Sequence, residues 1–271
     1  MKFSSRGSLV ATALCHVALA AVTMAIPVYL GIYKNVSVDL GYEHYAERAN
    51  STLGPFKFPS WIRMPANTLV NIGYLLVGSL WLYRVAFAVN PVTSRKHEDL
   101  YLMSVFASMS CIYGMVQYSR IVTQSYVWSV LDQWYTLPFF SWTIVWSQKI
   151  QSGWNAKTTI CIVLASILSY NLTLLHKFGF EVALGVHMVI AVYNGCRVLS
   201  LHFNQRRFIL FCSVIFNCCG FVFLKLADFH LARFAIFQEL TGHFWSKICD
   251  FLQIHFTVML FVHMSQDSKT V

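Results

Sequence analysis

Apolar runs about as long as a bilayer is thick alternate along the chain with short polar breaks or breaks marked by Pro and Gly. A hydrocarbon core of ~30 Å takes ~20 helical residues. Windows of that length fall near Leu9 to Leu30, Asn67 to Ala88, Leu100 to Ser119, Leu131 to Gln148, Thr158 to Leu175, Val182 to Leu199, Phe208 to Leu226, and Leu240 to Met264. The pattern predicts an all-α polytopic membrane bundle of about eight spans: one N-terminal helix plus a seven-helix core over 67–264, in a single membrane domain covering 1–271. Residues 9–30 are expected to be a signal anchor or first span, because the run exceeds the ~7 to 15 residues of a signal-peptide core. Residues 33–63 then form a lumenal or extracellular loop, and 265–271 a cytosolic tail.

Composition agrees. Of 271 residues, 57% are hydrophobic and 11% charged, whereas a soluble surface takes about 25 to 35% charged residues. The net charge of +9 would suit nucleic acid if the basic residues clustered, but they never form a block of five, so nucleic acid is not an expected partner. Membrane lipids are, and protein partners are possible. All eight cysteines lie in apolar runs without metal-ligand spacing and read as packing residues, with Cys218 and Cys219 on different helix sides. No Gly-rich phosphate loop or fixed-period repeat occurs, which disfavours a nucleotide-driven pump.

Orientation rests on two features. Sequons at Asn35 and Asn50 require the first loop to enter a secretory lumen before they are glycosylated; a third, at Asn171, lies within a span. Lys and Arg of the short loops, notably Arg95-Lys96 and Arg206-Arg207, together with Lys149, then fall on the cytosolic side, and Asp39, Glu43 and Glu47 offset the bases of the first lumenal loop. The expected location is an integral membrane protein of the endoplasmic reticulum, Golgi or plasma membrane. Trp61, Tyr101, Tyr126, Trp128, Trp146 and Trp154 lie near helix ends and read as interfacial anchors.

Ionisable side chains at bilayer depth are costly and turn toward partners. They concentrate in the last span, where His243, Ser246, Lys247 and Asp250 share one helix face, and Asp250 lies about 10 Å deeper than His243. Asp132, Arg120, Lys225, Asp228 and Glu239 are expected companions at the same end. With Asp132, His243, Ser246, Lys247 and Asp250 as its centre, the group reads either as an ion-pair network fixing helix packing or as a polar cavity open to the lumen. Asn67 and Asn71 share a face of the second span, and Gln117 and Tyr118 of the third can face the same interior. His16, His187, His255 and His263 stand alone on apolar helices and read as hydrogen-bonded packing residues.

Two stretches, 36–47 (VSVDLGYEHYAE) and 240–250 (LTGHFWSKICD), resemble the transmembrane protein 187 family. So do 67–71, 131–134 and 179–185, and the likeness covers nearly the whole chain; it implies no established activity. The order of polar marks is also similar to the superfamily of alkaline ceramidases and adiponectin-type receptors, seven-span proteins with an intramembrane zinc on three histidines. Under that likeness Asn67 and Asn71 match asparagines of the first core span, Asp132 an early-third-span aspartate, and His243 the first histidine of a final-span His-x-x-x-His. Here the second position is Lys247, and the third span holds no histidine, so two of three zinc ligands are missing. The resemblance therefore implies a member without metal. The expectation is a non-catalytic lipid- or partner-binding membrane protein without cofactor, metal or catalytic residue. An intramembrane lipid hydrolase and a proton- or ion-coupled transporter are the alternatives.

Overall fold

A computed structural model describes residues 2–87 and 97–267. The Arg95-Lys96 pair and residues 268–271 of the expected tail lie outside the described residues. The helices are α1 (Lys2–Tyr29), α2 (Pro65–Leu69), α3 (Ile72–Phe87), α4 (His97–Thr123), α5 (Tyr126–Ser152), α6 (Ala156–Ser169), α7 (Leu172–Leu175), α8 (Gly179–Leu201), α9 (Gln205–Leu226), α10 (Asp228–Leu231) and α11 (Gly242–Asp267). One antiparallel two-residue ladder, β1 (Thr52–Leu53) with β2 (Phe56–Lys57), folds the long first loop.

The all-α polytopic bundle is borne out. Among the described residues seven helical segments are long and apolar enough to cross a bilayer: Arg6–Tyr29, Pro65–Phe87, His97–Thr123, Ala156–Leu175, Gly179–Leu201, Gln205–Leu226 and Gly242–Ser265. An eighth helix, α5, is 27 residues long, about 40 Å at ~1.5 Å per residue, but Asp132, Gln133 and Lys149 lower its hydropathy. It tolerates them because α4, α6 and α8 pack around it.

Several helices overrun the expected spans. The helix expected over Leu100 to Ser119 runs from His97 to Thr123, and that expected over Leu131 to Gln148 runs from Tyr126 to Ser152. The second and fifth spans are each interrupted, at residues 70–71 and 170–171.

Packing follows helical periodicity. Leu9, Ala13, Val17, Met24 and Val28 line the buried stripe of α1 against α3 and α4, while Leu19, Val22 and Ile26 face outward. α4 is the most enclosed span. Its small residues permit close approach to α3, to which Ser110 donates at the Tyr74 carbonyl (2.9 Å). α11 lies along α9 and closes the bundle. The turns after α1, α4, α6 and α9 gather at one end, hereafter the loop end, which carries residues 30–64.

Two readings of single residues need correction. Trp146 is 1% exposed and stacks on Phe261 (ring centroids 4.9 Å apart), so it is a core residue and not an interfacial anchor. α5 continues six residues past it, which places the ring inside the bundle. Lys149 is not a free loop charge either: it is buried and ion-paired with Asp99 of α4. Asn155 caps α6 by accepting from the Thr158 N–H (3.2 Å), which fixes the turn beyond that pair.

Candidate functional site

The polar stripe of α11 turns inward. His243, Ser246 and Lys247 are buried, and Asp250 is half-buried. Lys247 Nζ donates to Oε1 of Gln117 on α4 (2.6 Å). The Gln117 amide in turn donates to the Tyr113 hydroxyl (2.5 Å) and to Oδ1 of Asp132. Arg120, one turn along α4, donates to Oδ2 of the same Asp132. Lys247 and Asp132 are thus linked through an amide and not by direct contact, while α4, α5 and α11 are tied at one level.

Asp250 is held separately. The Tyr74 hydroxyl of α3 donates to its Oδ2 (2.5 Å), and the Tyr74 ring packs edge-on against Tyr113 (5.2 Å). The i,i+3 relation of Lys247 and Asp250 therefore yields no direct pair; each acts on a different neighbouring helix. Ser246 donates to the His243 carbonyl of its own helix (2.7 Å), and the His243 ring packs edge-on against Tyr45 (4.8 Å). Lys225 of α9 lies within electrostatic range of Arg120, Asp132 and Asp250. Asn67 and Asn71 are buried beside this group, and Asn71 donates to the Asn67 carbonyl of its own helix segment (2.8 Å). Gln117 joins the network, whereas Tyr118 stays half-buried outside it.

The loop end is fastened by two carboxylates. Asp228 Oδ1 accepts from the His243 N–H (2.7 Å), one of the unpaired donors at the start of α11, and Oδ2 accepts from the Ala46 N–H (2.8 Å). Glu47, expected only to offset the bases of the first loop, is 6% exposed and accepts from the Ala66 and Asn67 N–H groups (both 2.8 Å) at the start of α2. Burial pushes its carboxyl up to about 7; the two backbone donors pull the other way without overcoming it, and the Asp228 charge adds to the rise. The folded value exceeds the ordinary 4.5, so the stability Glu47 lends is complete below pH 4.5 and disappears as pH rises through about 7. Detergent-solubilised protein is expected to melt at a lower temperature at pH 8 than at pH 5, by a margin that shrinks in Glu47→Gln. Equal margins in the two proteins would show that Glu47 does not couple loop docking to protons.

The acceptor asparagines of both expected sequons in the first loop, Asn35 and Asn50, are exposed. Asn50 Oδ1 accepts from the N–H and hydroxyl of Thr52, the third sequon residue (3.1 and 3.2 Å).

A second feature was not legible from sequence. α1, α4, α5 and α6 border a cavity of about 280 Å³ that is partly open at its outer side, near the ~300 Å³ lower bound of ligand pockets. Trp134, Tyr135, Pro138 and Trp142 form its inner wall; Ile160 and Leu164 of α6, both largely exposed, flank the side facing away from the bundle. At one margin His16 Nδ1 lies 2.7 Å from the Tyr101 hydroxyl. The other solitary histidines have local partners: His187 contacts the Ala183 carbonyl (2.7 Å) and Ser166 (2.9 Å), His263 the Met259 carbonyl (2.8 Å), and His255 the Trp81 ring.

Three-histidine zinc does not fit this chain. The position one turn beyond His243 is an ammonium donating to Gln117, and no group of three or more His, Cys, Asp or Glu converges among the described residues. A family model described as the TMEM187 protein family matches residues 13–262. Transmembrane protein 187 of Homo sapiens is 43% identical over 255 residues, covering 93% of this chain and 92% of that protein. Transmembrane protein 187 of Bos taurus is 42% identical over 247 residues, covering 91% and 94%. No solved structure matches.

Proposed function

The chain belongs to the TMEM187 protein family and is a multi-pass membrane protein, and from that premise we propose that it acts without catalysis, by holding a bilayer lipid between α1, α4, α5 and α6. The observation that carries this is the 280 Å³ cavity with its apolar lining, set beside a charged cluster in which Arg120, Asp132, Gln117 and Lys247 are spent on each other. Arg120, Asp132, Gln117 and Lys247 form one chain of contacts, and Asp250 is engaged by Tyr74. Such a network fixes how helices pack, and its four linked side chains are engaged with one another rather than held open to a substrate. In this proposal the loop end faces the lumen of the secretory pathway or the cell exterior, where the exposed Asn35 and Asn50 are glycosylated.

The experiment is native mass spectrometry of protein purified in mild detergent. Wild type is expected to retain one lipid per chain, and Leu164→Trp, which adds bulk beside the cavity from an exposed position, to lose at least ten-fold of that adduct while melting as wild type does. Absence of any lipid adduct in wild type, or an adduct indifferent to Leu164→Trp, would contradict the proposal.

A further inference from the structure

Resting on the lipid-holding reading, the geometry points to the class of lipid: we infer that the cavity between α1, α4, α5 and α6 takes a sterol, with its hydroxyl against His16 and Tyr101 and its rings on the aromatic wall of α5.

Charge comes first. Among the described residues no Lys, Arg, Asp or Glu lines the cavity, so a phosphate or choline head drawn into it would be desolvated with no counter-charge there. A neutral head is the one that enters.

The polar margin specifies which neutral head. His16 stands ten residues, about 15 Å, along α1 from Arg6, and its ring is exposed on the cavity side. Its contact with the Tyr101 hydroxyl uses one ring nitrogen. When the tyrosine donates, the remaining nitrogen carries a proton and needs an acceptor. When the imidazole donates, that nitrogen needs a donor and the tyrosine proton needs an acceptor. Where acyl chains keep water away, leaving such groups unmatched is costly. A hydroxyl both donates and accepts and so satisfies either tautomer, whereas an ester carbonyl only accepts.

The wall specifies the body of the ligand. Trp134, Tyr135, Pro138 and Trp142 give the cavity a stiff wall, with the Trp134 and Tyr135 rings nearly perpendicular (84°) and Trp142 pinned by donation from Nε1 to the Leu102 carbonyl (3.0 Å). Trp134 and Trp142 are eight residues apart, about 12 Å along the helix. A fused ring system lies on such a surface without losing rotamers, while an acyl chain must order several bonds to do so. Trp154, in the turn after α5, packs on Tyr101 (6.2 Å) and places the hydroxyl end of the cavity near the end of α5 away from the loop end, so the rings extend from there toward Trp134.

The test uses the full chain in phosphatidylcholine vesicles with a photoactivatable cholesterol analogue, followed by peptide mapping. Labelling is expected to concentrate in 134–142 and 159–167, to be competed by unlabelled cholesterol, to fall at least ten-fold in Leu164→Trp, and to fall several-fold in His16→Phe. Tyr101→Phe, which keeps the ring and removes the hydroxyl, gives the same readout if His16→Phe is poorly folded. Labelling spread evenly over all lipid-facing helices, or insensitive to Leu164→Trp and to both polar-margin variants, would overturn the sterol site. Labelling of the same peptides by a photoactivatable phosphatidylcholine or diacylglycerol that cholesterol cannot compete would overturn the sterol and leave lipid holding intact. Failure of every lipid probe to label those peptides would overturn both.

Discussion

Asp132→Ala is expected to be the most damaging single substitution in the chain. The aspartate is 4% exposed and takes donors from both Arg120 and Gln117, and Gln117 is in turn the acceptor for Lys247. Removing it strands a buried guanidinium and an amide at once, and breaking a buried pair from one side costs about 3 to 5 kcal/mol. In a membrane the unfolded chain also finds partners for its polar groups, which favours the lower end of that range. The measurement is melting of detergent-solubilised protein followed by gel filtration. Asp132→Ala is expected to melt well below wild type. Arg120→Gln combined with Asp132→Asn, which removes both charges while keeping an acceptor for Gln117, is expected to recover most of the loss. Equal melting of Asp132→Ala and wild type, or no recovery in the pair, would show that the contact does not organise the bundle.

The second large effect is expected at Asp228. Its carboxylate joins the start of α11 to the first loop through the His243 and Ala46 N–H groups. Losing a helix cap costs about 1 kcal/mol, and the part-buried Ala46 N–H loses a hydrogen bond of about 0.5 to 1.5 kcal/mol as well. Asp228→Ala should therefore lower the melting point and, at temperatures where the bundle is still folded, open residues 33–63 to limited proteolysis. Asp228→Asn keeps one acceptor and turns an amino group toward the other donor, so its loss should be intermediate. A loop as protease-resistant in Asp228→Ala as in wild type would show that other contacts, such as those of Tyr126 with the Val36 carbonyl (2.9 Å) and of Gln133 with the Ser37 carbonyl (3.2 Å), suffice to hold it.

The bundle was legible because its period and its solvent both leave marks on a sequence: runs of ~20 apolar residues have few other uses. The stripe of α11 was legible for a related reason, since four polar residues at helical spacing in an apolar run must share a face. Their partners were not. Periodicity says that Lys247 points inward but not which neighbour it meets, and Tyr74 and Tyr113 look like ordinary apolar-span residues until α3, α4 and α11 are placed together.

The Asp99–Lys149 pair was missed because each residue fell one position outside an expected span, Asp99 before Leu100 and Lys149 after Gln148. Glu47 read only as an acid offsetting loop bases, and Asp228 only as a companion of the polar group, because capping partners 15 to 20 residues or more away are set by tertiary contact and not by local pattern. The lateral cavity left no trace at all. Residues that line a gap between helices and residues that face lipid are drawn from the same apolar set, so only the gap itself distinguishes Ile160 and Leu164 from any other outward-facing side chain.

The division of labour between the charged cluster and the cavity is tested most directly by lipid occupancy in the folded fraction of two variants, read by native mass spectrometry. The paired Arg120→Gln and Asp132→Asn variant is expected to keep its bound lipid at the wild-type level, and Leu164→Trp to lose it. Loss of lipid from the charge-neutralised pair with full retention in Leu164→Trp would contradict the account and move the ligand site to the polar interior beside α11.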